Sequence, residues 1–444
     1  MIRSDSLGVT SIIQDLSIST NLYTIMMHFF RSNAWNLNNL IAVWAKTVVA
    51  TAPVYRQDGM TVLIGDGVKQ SKEARKMPGV KKLHQESQNS AKGEYIFGHM
   101  FGAVGVLIGD ISRMFYVPLS MKIHDGVKSI RQWNESDKNT GSHIVQMIEN
   151  SFDAARVIGK SLLLLDAYFL SLPALKRLSE LNKCAANVLH IVTKAKMSFV
   201  AYTEPGKYSE TGRPREKGKK INLKDIFNEK KDEFIETTMM LHGKEEKIKY
   251  LCVDLLWGKT LYQKLRFVLV TCNSIKSILI STNLELSPVT IISLYSYRFK
   301  IECTFRALKQ AIGGFKYQFW SKVMPKLNRY GKKGEIHPAE KIECKKTKEL
   351  ILSTLKAIEG YVMCSCIAIG LLQIISIKFS TEINKTPFRF LRTKSKGVVS
   401  ETTVSCFLKK NIFSLITKNN KSTISEIINE KQSEPCFRDN RQAC

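Results

Sequence analysis

The chain has 444 residues, enough for a sizeable core and two or three structural units, and 44% of them are hydrophobic, which fits a globular protein. Its formal net charge of +28 is self-repulsion on a scale tolerable mainly when a polyanion offsets it, so nucleic acid is the leading partner and an anionic membrane the second. Ten cysteines without a CxxC pair or histidines at zinc-finger spacing support neither a structural zinc site nor a thioredoxin-type motif, and with no cleavable signal pattern they point to a reducing cytoplasm.

In chain order, residues 1–58 read as a small helical unit, because apolar positions in NLYTIMMHFF and LNNLIAVWAKTVV recur at three and four. From Met60 the texture turns to strand, in TVLIGDG, YIFGHMFGAVGVLIG and RMFYVPLSMKI. Pro118 cannot donate to a ladder, which predicts that the third of these runs is an edge strand. A helix is expected from about Ser142 to Ile158, then a strand in SLLLLDAYF, a helix around Pro173 to Leu181 and a strand near VLHIVT.

Glu204 to Lys220, rich in glycine, proline and cations, reads as an exposed basic loop, either a solvated linker or a DNA-backbone contact. Four short runs, EFIETTMML, KIKYLCVDLLW, KLRFVLVT and SILIST, predict a β-rich segment ending near Leu286. A helix follows, with Ser287 as its cap, Pro288 in its first turn and Gly313 and Gly314 as its stop. Residues 315–350 are strongly basic, and the run Gly360 to Ile377 approaches membrane-spanning length but carries Gln373 and follows Glu359, so a buried core helix is the better reading. Cys364 and Cys366 inside it read as buried thiols. The chain after about Ser400, rich in Lys, Asn and Ser, is expected to be loosely ordered.

Three acids stand out. On an α-helix Tyr295, Arg298, Glu302 and Lys309 fall within an arc of roughly 60°, so one face presents a carboxylate, two cations and a phenol. Alone, that pattern is most simply a salt-bridged surface. Asp66 and Asp166 each close a short apolar run, where a single aspartate is usually a turn former or cap. Taken together, the three carboxylates suit hard cations such as Mg²⁺, and two such ions can activate a nucleophilic oxygen and stabilise the leaving oxygen of a phosphodiester. Clustered acids repel one another without metal, and neighbouring cations can grip phosphates near the scissile one.

The spacing Tyr295-x2-Arg298-x3-Glu302-x6-Lys309 resembles the YREK signature of bacterial insertion-sequence DDE transposases. The wording LSPVTIISLYSYRFKIECTFRALKQ, LIGDGVKQSKEARKMPGV, LLLLDAYF and the GRPR loop is also similar to that family, over about Thr20 to Lys378. The resemblance implies a ribonuclease H-like α/β fold, a mixed sheet flanked by helices, with its first and fourth strands adjacent, its third at the edge, and a β-rich insertion between the second Asp and the Glu. It divides the chain into an N-terminal helical region (1–58), a catalytic core in two parts (59–203 and 287–378), the basic loop and insertion (204–286), and a C-terminal region (379–444). It implies that Asp66, Asp166 and Glu302 bind two Mg²⁺ ions, with Mn²⁺ as a substitute, and that Tyr295, Arg298 and Lys309 contact DNA. The implied activity is cleavage of double-stranded DNA at terminal inverted repeats and strand transfer into target DNA, by a homodimer that synapses two ends, in the cytoplasm at the nucleoid and without a membrane. Some members cut the second strand through a hairpin supported by an aromatic residue, for which Trp257 is a candidate against ordinary packing. The competing expectations are a catalytically silent DNA-binding protein derived from such an element and a membrane-associated basic protein.

Overall fold

The computed structural model describes residues 8–15, 21–72, 74–85, 94–111, 113–124, 130, 133, 142–185, 188–206, 214–328, 337–385 and 397–418. Residues 207–213, in the basic loop with its GRPR wording, and 419–444 lie outside this set. The chain is α/β, with a large mixed sheet flanked by helices. Three helices, α1 (Val9–Asp15), α2 (Asn21–Arg31) and α3 (Leu37–Thr51), precede it. After the two-residue β1 (Arg56–Gln57) come β2 (Met60–Ser71), β3 (Lys81–His84), β4 (Tyr95–Asp110) and β5 (Arg113–His124). Then follow α4 (His143–Ile158), β6 (Ser161–Leu165), α5 (Leu172–Cys184) and β7 (Leu189–Ala195).

Pairing orders the central strands β5-β4-β2-β6-β7. The β2–β4 and β4–β5 pairs are antiparallel, and β2–β6 and β6–β7 are parallel. Both parallel neighbours are reached through a helix, as such crossovers require. SLLLL in β6 is buried along its whole length, which is why it reads as a continuous apolar run instead of an alternating one. The short β3, which the sequence pattern did not suggest, also pairs with β4. Gly98 is partnered by Ser71 of β2 and by Lys81 of β3, so β3 lies on the side of β4 that β5 also takes.

Pro118 sits where β5 slips register against Val104 and Gly105. A missing N–H is tolerated at such an irregularity, and β5 pairs with β4 among the named strands. The Pro118 carbonyl is satisfied from outside the sheet, by the indole N–H of buried Trp44 on α3 at 2.9 Å.

Between Asp166 and Glu302 the chain also forms β8 (Val200–Tyr202), β9 (Lys220–Asn222), α6 (Leu223–Glu229), β10 (Ile235–Leu241), β11 (Lys244–Trp257), β12 (Gln263–Cys272) and β13 (Ile275–Ser281). β13 pairs antiparallel with β7, so these strands extend the same sheet. They enclose a second apolar cluster around Leu255, Leu265, Phe267 and Leu269, with Phe227 from α6.

A helical stretch from Pro288 carries Glu302. It comprises α7 (Pro288–Ser296), a 3₁₀ turn (Tyr297–Phe299), α8 (Lys300–Ala307) and a π turn (Leu308–Ile312). Ser287 Oγ accepts from Thr290 N at 3.1 Å, and Gly313 ends the run in the left-handed region at φ 67°, where a Cβ would be strained. The long α9 (Lys345–Lys385) packs on β5, with α2 and α3 against it. It contains the apolar run 360–377, whose side chains, Cys366 among them, are largely buried there. By length and composition α9 could cross a membrane. Of the region after Ser400, the described part differs from expectation. Glu401–Lys418 forms α10, because Val404, Phe407 and Leu408 recur at three and four, are buried and face α9.

Candidate active site

The site begins with two glycines. Gly65 and Gly67 flank Asp66 and share one face of β2, the face under α4. A Cβ at Gly65 would lie 2.8 Å from Met147 Sδ, and one at Gly67 would collide with Met100 and lie 3.0 Å from His143 Nε2. Their bareness lets α4 settle against the strand, while Asp66 points to the opposite face, where the Glu302 helix lies.

Asp66 is not at a strand end, as the run TVLIGD suggested; β2 continues to Ser71 through its ladder with β4. What ends there is its parallel neighbour. Gly65 is in register with Leu165, the last residue of β6, and Asp66 and Asp166 are the next residue on each chain. Two parallel strands in register direct these side chains to the same face. The Asp166 backbone oxygen accepts from Thr193 Oγ1 of β7 at 3.0 Å, fixing the chain as it leaves the sheet into a 3₁₀ turn at Ala167–Phe169.

Above this pair, α8 is held by buried Ile301 and Phe305 and by a polar anchor. Thr304 Oγ1 donates to the Tyr116 carbonyl of β5 at 2.9 Å and accepts from Gln373 of α9 at 3.1 Å. The exposed face of the helix then meets the strands through Arg298. One guanidinium nitrogen is 3.1 Å from Asp66 Oδ2 and the other is 2.6 Å from Glu302 Oε1. The Arg298 and Asp66 side chains are only 17% and 22% exposed, whereas Glu302 is 56% exposed, so the bridge runs from the protein interior to its surface.

The electrostatics follow from that gradient. Burial pushes the Asp66 carboxyl up to about 6; Arg298 and a 2.7 Å bond from the Gly67 N–H oppose this, and the charges of Asp166 and Glu302 add to it. Arg298 is disfavoured as a cation by its burial but held above its ordinary value by Asp66, Tyr295, Asp166 and Glu302. Burial likewise raises the half-buried Tyr295 phenol to about 12, with Arg298 opposing and Asp166 and Asp66 reinforcing, so it remains a neutral hydrogen-bonding group.

Asp66, Asp166, Glu302, Tyr295 and Arg298 therefore act on one another within a single site. Lys309 is carried about two turns past Glu302, exposed on the π turn, beyond the stretch over which a 100° step holds. Trp257 stacks on Phe199, with ring centres 5.4 Å apart. Among the described residues no three His, Cys, Asp or Glu side chains converge closely enough to hold a metal ion as they stand. No family model, curated protein or solved structure matches the chain.

Sequence reasoning passed over a buried pair on the α4 side of the sheet, behind Asp66. His124 Nδ1 and His143 Nδ1 are 2.9 Å apart, and His124 Nε2 is 2.6 Å from Asn150 Nδ2. The pair occupies space that Gly67 and Gly102, partners across β2 and β4, leave open. No sequence spacing links residues 124, 143 and 150; only the packing of α4 on the sheet does.

Proposed function

We propose that the chain is a DDE transposase with a ribonuclease H-like core, cutting DNA at the ends of a mobile element and joining the cut ends to target DNA. The observation that carries this reading is the register of β2 and β6, which sets Asp66 and Asp166 side by side beneath a helix whose Glu302 is bridged to Asp66 by Arg298. The strand order β5-β4-β2-β6-β7, with antiparallel neighbours on one side of β2 and parallel ones on the other, supports the core assignment. The position of β8 to β13 between the second Asp and the Glu supports reading them as the insertion.

The donor chemistry fits hard divalent cations. Three carboxylates supply oxygen ligands, and the charges of Asp166 and Glu302 act on Asp66, adding to the rise that its burial causes. Asp66, Asp166 and Glu302 would hold two Mg²⁺ ions. When bound, such ions lower the pKa of a nucleophilic oxygen and stabilise the leaving oxygen of a phosphodiester. The protein's own part is to hold the three carboxylates on rigid elements, with Arg298, displaced from Asp66 and Glu302, turning to DNA phosphate together with Lys309, while the neutral Tyr295 phenol donates to the backbone.

The test is cleavage of duplex DNA ending in the terminal inverted repeats that bracket the gene, with Mg²⁺ or Mn²⁺. The wild type should cut, and Asp66→Asn, Asp166→Asn and Glu302→Gln should each lose cutting while keeping DNA binding. Near-normal cutting by any one of them would refute the assignment. One observation favours a second reading, a catalytically silent DNA-binding protein. Arg298 already engages both Asp66 and Glu302, and a permanent bridge would close the site to metal. DNA binding with no cleavage under either ion would establish that reading instead.

A further inference from the structure

Beyond the Glu302 helix, residues 316–321 run between two turns without joining the sheet, and burial alternates from 315 to 322. Phe315, Tyr317, Phe319 and Ser321 are buried, while Lys316, Gln318, Trp320 and Lys322 are exposed. The inward row is locked. Lys72, itself buried, donates to the carbonyls of Phe315 at 2.6 Å and Tyr317 at 2.9 Å, and its ammonium lies 3.6 Å from the Tyr317 ring centre. The Tyr317 hydroxyl is 2.7 Å from His99 Nδ1, and Ser321 N donates to the Lys76 carbonyl at 3.1 Å. From Lys316 to Trp320 the outward row is therefore spaced at about 6.6 Å per two residues.

Facing that row, α2 contributes Tyr23, His28 and Arg31, and with α9 as a floor they enclose a cleft of about 600 Å³. Two rings in it are bare, with Trp320 50% and Tyr23 42% exposed. Among the described residues that line it, the Lys and Arg are Arg31 and Lys322 and none is Asp or Glu. Arg31 Nη2 donates to the Trp320 carbonyl at 3.3 Å, and Arg31 Nε is buried with no hydrogen-bond partner among the described residues. Exposed aromatic rings beside cations, with no carboxylate among the described lining residues to repel an anion, match a nucleic acid strand, in which every base offers a π-face and every linkage a phosphate.

We propose that this cleft binds an unpaired stretch of a nucleic acid strand, stacking a base on Trp320 and Tyr23 and holding the flanking phosphates with Arg31 and Lys322. The proposal rests on the DNA-cutting reading only for DNA as the strand's identity.

The experiment is fluorescence anisotropy of a labelled 12-nucleotide oligothymidine with the full chain in EDTA, beside the same length of duplex. Trp320→Ala should weaken binding of the single strand about tenfold or more, and Trp320→Phe should recover most of it. Lys322→Ala should weaken it less and flatten its salt dependence by about one phosphate contact. Trp320 is half exposed, so the Tm of Trp320→Ala should match wild type, and unaltered affinity at that Tm would overturn the proposal. So would a Trp320-dependent self-association that leaves oligonucleotide affinity untouched, because the cleft would then belong to a second copy. A chain that shows the Trp320 effect yet cuts no DNA would overturn the catalytic reading alone. One that cuts DNA while Trp320→Ala binds like wild type would overturn this proposal alone.

Discussion

Asp66→Asn offers a quantitative check on the site that needs no substrate. In the wild type the carboxyl is held at about 6 against an ordinary 3.8, because it is buried beside Asp166 and Glu302. A folded-state value above the unfolded one means that the unfolded chain releases this proton first. Stability from this group is therefore complete below about pH 4 and is lost as pH rises through 6. Integrated, the loss is about 1.6 kcal/mol at pH 5 and about 3 kcal/mol at pH 8. Asparagine keeps the shape and carries no charge, so the variant lacks this loss. Over a chain of this length the difference corresponds to a Tm advantage for Asp66→Asn of about 1.5 °C at pH 5, widening to about 3 °C at pH 8. Calorimetry of both proteins across that range reads the gap directly. Addition of Mg²⁺ at pH 8 should close or reverse it, since the ion favours the ionised carboxylate that only the wild type has. A gap that stays flat or narrows with rising pH would refute the electrostatic argument, and an unchanged gap on adding Mg²⁺ would refute the role of Asp66 as a ligand.

Other outcomes follow from the same geometry. Arg298→Ala leaves Asp66 and Glu302 without their bridge, so the Asp66 carboxyl should climb further, read by carboxyl NMR titration, and Mg²⁺ should raise the Tm more than in wild type. Glu302→Gln should cost little stability, under about 1 kcal/mol in chemical denaturation, because Glu302 is largely exposed, while abolishing cleavage. Trp44→Phe strips the Pro118 carbonyl of its indole donor and should cost about 1–3 kcal/mol in the same measurement.

Much of the central sheet can be read in the residues because its signals are local. The apolar runs around Asp66 and Asp166 are strands, Ser142 and Ser287 cap the helices that follow them, and Gly313 stops the last. Pro118 announces an irregular edge, since a missing N–H has few places to go. The three acids are visible as residues, but their relations are not. That Arg298 reaches from Glu302 to a strand residue 232 positions earlier is decided by how the helix lies on the sheet, and its cation looks the same in sequence whether it faces phosphate or carboxylate. The alternating burial of residues 315–322 is not legible in the sequence, where Trp320 would be read as inward and Ser321 as outward, and it depends on Lys72, a charge whose burial no composition rule would suggest. α10 was hidden by the polar residues around its apolar ones, which become a packed face only once α9 is there to meet them.

The pairing of Gly65 with Leu165 also governs how this site can change over generations. The separation of the two aspartates is set by backbone hydrogen bonds between β2 and β6, not by side chains that could be adjusted singly. Removing or adding one residue within Ser161–Leu165 would turn Asp166 to the α4 side of the sheet, because side chains alternate with a period of two. Between those states no intermediate register keeps both the ladder and the site. A one-residue insertion or deletion there would therefore separate the pair in a single mutational step, whereas a substitution at Tyr295, Arg298 or Lys309 would leave the register intact.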